Sequence, residues 1–182
     1  MSLYLKATRS GRRATHADGF VWPEHGEWFQ VSPGPLVACR HGIHVCRPDQ
    51  IMAWLSDELH VIETDDRFKQ IEMSDKVVVR RARLVRQLPW DERSARLFAA
   101  ECAERVLPIF ERERLGDGRP RLAISAARAF ACGEIYAAAR DAAGAAAGAA
   151  AWAAAWDAAG AAERAWQGAR LIEAMGIVEM QP

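Results

Sequence analysis

Nineteen of the 29 residues between Ala137 and Ala165 are alanine. Alanine is the best intrinsic helix former and is depleted in strands, so this stretch predicts helix. Its longest uncharged apolar run, Ala142–Trp156, is 15 residues. A membrane span needs roughly 20 residues of greater hydrophobicity, so no span is expected. Gly144 and Gly148, like Trp152 and Trp156, are four apart. Glycine costs about 1 kcal/mol against alanine inside a helix, which predicts a neighbouring helix in close approach there, with the tryptophans supplying bulk.

Everything before Pro89 has the opposite texture. Leu3–Thr8 alternates, with Tyr4, Lys6 and Thr8 on one face. Glu27–Val31 and Gly42–Cys46 read as strands, Leu59–Thr64 as another, and Lys76–Val85 as a last one. Between them Asp49 is placed to cap a helix carrying Ile51, Met52, Trp54, Leu55 and Leu59. After Pro89 the helical spacing takes over. Asp91 is the expected cap; Phe98, Cys102, Val106 and Ile109 form an expected inner face, with Pro108 kinking the helix. A second helix starts at Pro120, with Ala123, Ala127 and Phe130 inward and Gly133 closing it. The expected class is α+β: a small mixed sheet domain with one helix over residues 1–88, an all-helical alanine-rich bundle over 89–177, and a tail over 178–182.

The 182 residues are 51% apolar and 26% charged, enough to bury a core, and 24 basic side chains balance 24 acidic ones. That balance argues against a nucleic-acid binder. Met1–Ser10 lacks the apolar core of a signal peptide, so the four cysteines are expected reduced and the bacterial cytoplasm is the expected home.

Chemistry-bearing residues gather in the earlier part. All five histidines (16, 25, 41, 44 and 60) precede Pro89. Cys39, His41, His44 and Cys46 include the ligand types of zinc, without the spacing of a zinc knuckle. The plainer reading is a strand with a half-buried thiol and a hydrogen-bonded imidazole, and no metal or cofactor is expected. Glu63 and Glu72 are possible carboxylate partners for a histidine. The arginines of Lys76–Arg86 fit a charged edge strand better than a phosphate grip, because no aromatics interleave with them.

Two resemblances add to this. CAERVLPIFE (Cys102–Glu111), GRPRLAISAARAFA (Gly118–Ala131) and GEI (Gly133–Ile135), in that order and followed by an Ala-rich helix, closely resemble a helical family described as immunity proteins of bacterial polymorphic-toxin systems. The resemblance implies an interaction module without catalytic residues. Cys39 and Gly42-Ile43-His44-Val45-Cys46, before Pro48 and Trp54, resemble a bacterial and phage family with a C-x-x-G-F-H-A-C motif. GIHVC…IMAWL and LKAT (Leu5–Thr8) are also similar to elements of ADP-ribosyltransferase folds, with Lys6 standing where that family has its NAD-contacting histidine.

The leading expectation is a cytoplasmic binding protein of immunity or defence type, with a protein partner. The alternative is a divergent enzyme of ADP-ribosyltransferase-like fold acting on a nucleotide or NAD-like substrate. Lys6, His44 and Glu63 would then be catalytic, and Thr8, Arg9 and Trp54 substrate-binding. A second alternative is a metal-supported module on Cys39, His41, His44 and Cys46.

Overall fold

The computed structural model describes residues 3–17, 19–65, 67–136 and 161–177. The chain divides into two compact units, one made of Met1–Trp90 with Arg164–Pro182, the other of Asp91–Glu163.

Among its described residues the first unit holds seven short strands: β1 (Tyr4–Thr8), β2 (Phe29–Gln30), β3 (Ile43–Val45), β4 (Glu58–Thr64), β5 (Ile71–Glu72), β6 (Val77–Val79) and β7 (Arg81–Gln87). They form two antiparallel sheets, in the orders β1-β4-β7-β2 and β3-β6-β5. Strand side chains alternate between faces, so each sheet offers one apolar row. Tyr4, Ile62, Ala82 and Leu84 from the first sheet meet Ile43, Val45, Val77 and Val79 from the second in one buried cluster, with Trp22. The β3 turn depends on Gly42, whose φ is +151°. A Cβ built there would lie 2.4 Å from Val78 Cγ1.

Three expectations change in this unit. The helix expected from Asp49 is a single 3₁₀ turn, Ile51–Ala53. The Gln50 side chain explains the early stop, since it accepts from Arg47 N and donates to Met73 O, and the chain is already extended in β4 at Glu58. The strand expected over Lys76–Val85 breaks at Arg80 into two that belong to different sheets. Nor is its second half an edge strand. β7 lies between β4 and β2, and two of its three arginines are engaged: Arg81 with Asp65, Arg83 with Glu63, and both over the Trp28 ring at 4.6 and 4.7 Å.

In the second unit, α1 (Glu92–Glu113) opens on a capping box, with Asp91 accepting from Ser94 N and Ser94 Oγ accepting from Asp91 N. Pro108 does not break α1. It sits on the exposed side of the helix, away from the buried face. The buried side carries Phe98, Ala100, Leu107 and Phe110, a face rotated from the expected one. Ala100 and Leu107 pack with Ile124 of α2 (Arg119–Ala131). Glu111 pairs with Arg121 and Glu104 with Arg128, successive rungs of an antiparallel helix pair. Gly133 ends α2 with φ +75°, and Glu134 N reaches back to Ala129 O, a Schellman closure.

The α+β class holds, but the all-helical C-terminal bundle does not. Cys132–Ile135 are turns, as are residues 114–116, and the last helix, α3 (Ala161–Ala174), joins the sheet unit from Arg164 onward. Gly168 shows why helical spacing misleads here: a Cβ at that position would sit 2.4 Å from Pro48 O, so α3 approaches backbone of the sheet unit at this glycine. Leu171, fully buried, and Met175 follow on the same helix side. The alanine-richest stretch, 137–160, with its glycine and tryptophan pairs, lies outside the described residues.

Candidate functional site

Because Lys6 follows Tyr4 by two on β1, it extends from the same face toward the inter-sheet space. There the apolar cluster gives way to a cavity of about 590 Å³. Lys6, His44 and Trp54 line it, with Trp22, Phe29 and His16. Lys6 Nζ donates to the His44 carbonyl at 2.9 Å and stands 5.8 Å from the Trp22 ring centre. Burial pushes its amine down to about 8, only slightly opposed by the Cys46 sulfur.

His44 sits on β3, anchored by the turn at Gly42. Its Nε2 accepts from Cys39 N–H at 3.1 Å, so the neutral ring carries its proton on Nδ1. Burial, then the Lys6 and Lys76 charges, hold it down to about 4. Trp54 is fixed by its indole N–H on Asp75 O at 2.9 Å, with the Lys76 ammonium 4.8 Å from its ring centre and the His16 ring edge-on at 5.5 Å.

The other expected site residues go elsewhere. Glu63 accepts from Arg83 at 2.8 Å across β4 and β7, and is not part of the cavity wall. Arg9 is exposed and donates to Thr15 O. Thr8 is fully buried in a separate polar chain that the sequence did not reveal. Thr8 Oγ1 donates to Glu58 Oε2 at 2.9 Å and lies 3.0 Å from His60 Nε2. His60 Nδ1 lies 3.1 Å from Nε2 of the exposed His25. A carboxylate only accepts, so the donations run one way: His25 to His60, His60 to Thr8, Thr8 to Glu58. Burial pushes the Glu58 carboxyl up, but donors from Gly11 N, Arg12 N, Thr8 and His60 outweigh it and hold the group below the usual range. Burial also keeps the His60 ring neutral, its tendency to protonate lowered despite Glu58. The antiparallel register Lys6↔His60 and Thr8↔Glu58 assembles this chain. Only strand pairing could have signalled it.

Each of the four suggested metal ligands is otherwise disposed. His41 spans Pro35 O and Ser32 Oγ, His44 receives Cys39 N–H, Cys46 is buried with its thiol pushed up to about 11 by burial, and Cys39 is exposed. Among the described residues no three His, Cys, Asp or Glu side chains are grouped to hold a metal ion. Among them, too, no helix is long and apolar enough to cross a membrane.

Residues 90–172 match the model of a family described as Imm-5 like putative immunity protein. The match covers the segments CAERVLPIFE and GRPRLAISAARAFA on α1 and α2, so the C-terminal part of the chain is similar to that family. It begins after the sheet strands, so the N-terminal resemblance has no counterpart in it. No curated protein and no solved structure matches the chain, and the similarity to ADP-ribosyltransferase folds finds no support.

Proposed function

We propose that the protein is a cytoplasmic immunity-type protein that neutralises a toxin by occupying its surface through the helical segment. The family match over residues 90–172 carries this reading. The helical unit adds to it an exposed apolar supply: Leu115, after α1, is 88% exposed, and Leu122, in the first turns of α2, is 67% exposed. Large apolar side chains left in water on a small helical unit favour a partner surface. The enzyme alternative lacks the carboxylate expected for it at the cavity, since Glu63 pairs with Arg83 and does not line the cavity with Lys6 and His44.

The test is co-expression with the toxic polypeptide encoded beside its gene. Growth should be restored by the chain, and lost again with Leu115→Asp and Leu122→Asp together while the circular dichroism spectrum is unchanged. A neighbour that is not toxic, or toxicity that the chain leaves intact, overturns the proposal.

A further inference from the structure

The cavity of the first unit has a composition that the immunity reading does not use. Its walls are aromatic: Phe20 and Phe29 lie 4.8 Å apart, Trp22 packs edge-on to both, and Trp54 closes another side. Its polar groups are all basic or neutral. Lys6, Arg40 and three histidines contribute, and none of the described lining residues is Asp or Glu. Among the described residues Lys6 makes no ion pair with a carboxylate, and its ammonium donates to a neutral carbonyl, that of His44. A cation held under a surface without a counter-charge is costly, and a protein keeps one where a ligand supplies the missing sign. A volume of about 590 Å³ suits a small organic molecule.

We propose that this cavity binds a small planar anion, its flat ring against the aromatic walls and its carboxylate or phosphate on the Lys6 ammonium. The basic lining selects the charge and the rings select the shape. The depressed amine adds a consequence: an anion restores the protonated form of Lys6, so binding near pH 8 takes up a proton.

The experiment uses the full chain with three probes, 2-naphthoate, its neutral isostere 2-naphthamide, and adenosine monophosphate, followed by tryptophan fluorescence and calorimetry at pH 8 in two buffers of different ionisation heat. Naphthoate should bind about tenfold tighter than naphthamide, with proton uptake. In Lys6→Met the gap should close while naphthamide binding persists, which reports an intact cavity. Tighter binding of the nucleotide than of naphthoate supports the proposal and assigns phosphate as the anion source. Equal binding of naphthoate and naphthamide, no binding of any probe at millimolar concentration, or a gap that survives in Lys6→Met overturns it. Should Lys6→Met not fold, the naphthoate–naphthamide comparison and the proton uptake on the unaltered chain decide alone.

Discussion

Lys6 Nζ is bonded to the backbone carbonyl of His44, linking the first strand of one sheet to the first strand of the other at 2.9 Å. The bond holds a cation in an aromatic enclosure at the place where the two sheets stop packing on each other. Such a charge weakens the fold it sits in. Its amine titrates near 8 in the folded chain against 10.5 when exposed, so the folded state gains stability as pH rises from about 8 to 10.5 and lacks that contribution below 8. Lys6→Met removes the charge and keeps most of the volume. We expect it to raise stability by about 1–2 kcal/mol at pH 7, after loss of one hydrogen bond, with a melting point roughly 3–6 °C higher and no alkaline rise. Thermal scans between pH 7 and 10 check this; a lower melting point at pH 7 would count against it.

Acid should loosen the first unit well before ordinary carboxylates titrate. His60 and His44 are held neutral in the fold, while an unfolded histidine protonates near 6.5. Both therefore contribute stability above 6.5 that is lost as pH falls, for His44 down to about 4, where it amounts to at most about 3 kcal/mol. Glu58, held below its usual range, adds a loss of the same sign below about 4.5. Urea midpoints measured from pH 8 to 4 should decline from about 6.5. A flat profile down to 4.5 would be incompatible with these neutral rings.

Gly168→Ala should destabilise although alanine is the better helix former. The intrinsic gain is about 1 kcal/mol. Against it stands a Cβ 2.4 Å from the Pro48 carbonyl oxygen, a backbone atom that cannot swing aside. A net loss of about 1–3 kcal/mol is expected, with helix content unchanged. Chemical denaturation reads the result, and a stabilised variant would mean that α3 does not rest on Pro48.

Thiol chemistry should separate the four cysteines into two classes. Cys39 and Cys132 are exposed. Cys46 is buried, Cys102 is half-buried, and burial pushes both thiols up to about 11. Reaction with a disulfide reagent at pH 8 should release two equivalents rapidly and two only on unfolding. Rapid reaction of Cys46 would contradict the closed packing between β3 and the Asp75 carbonyl.

The strands expected over Leu3–Thr8 and Leu59–Thr64 formed, as Tyr4–Thr8 and Glu58–Thr64, and so did the cap at Asp91 and the stop at Gly133. Local chemistry decides these features. The failures came where distant partners decide. Ile51–Leu59 has helical spacing, yet Gln50 bonded to Met73 stops it after one turn. The arginines of β7 suggest an edge until β2 is found beyond them. In the site, Lys6, His44 and Trp54 meet because two sheets face each other, and Glu63 is absent because Arg83, directly opposite on β7, claims it. His60 was visible only as a histidine in a strand; its place beside Thr8 follows from antiparallel register with β1.

The return of α3 to the sheet unit makes that unit discontinuous along the chain, with the helical pair spliced between its two pieces. Cutting at residue 90, as the family boundary invites, would strip Gly168, Leu171 and Met175 from the unit they belong to. The smallest autonomous fragment bearing the cavity therefore needs both pieces, rejoined by a linker in place of the inserted helices, whereas α1 and α2 form a cassette whose exchange leaves the cavity's own residues untouched.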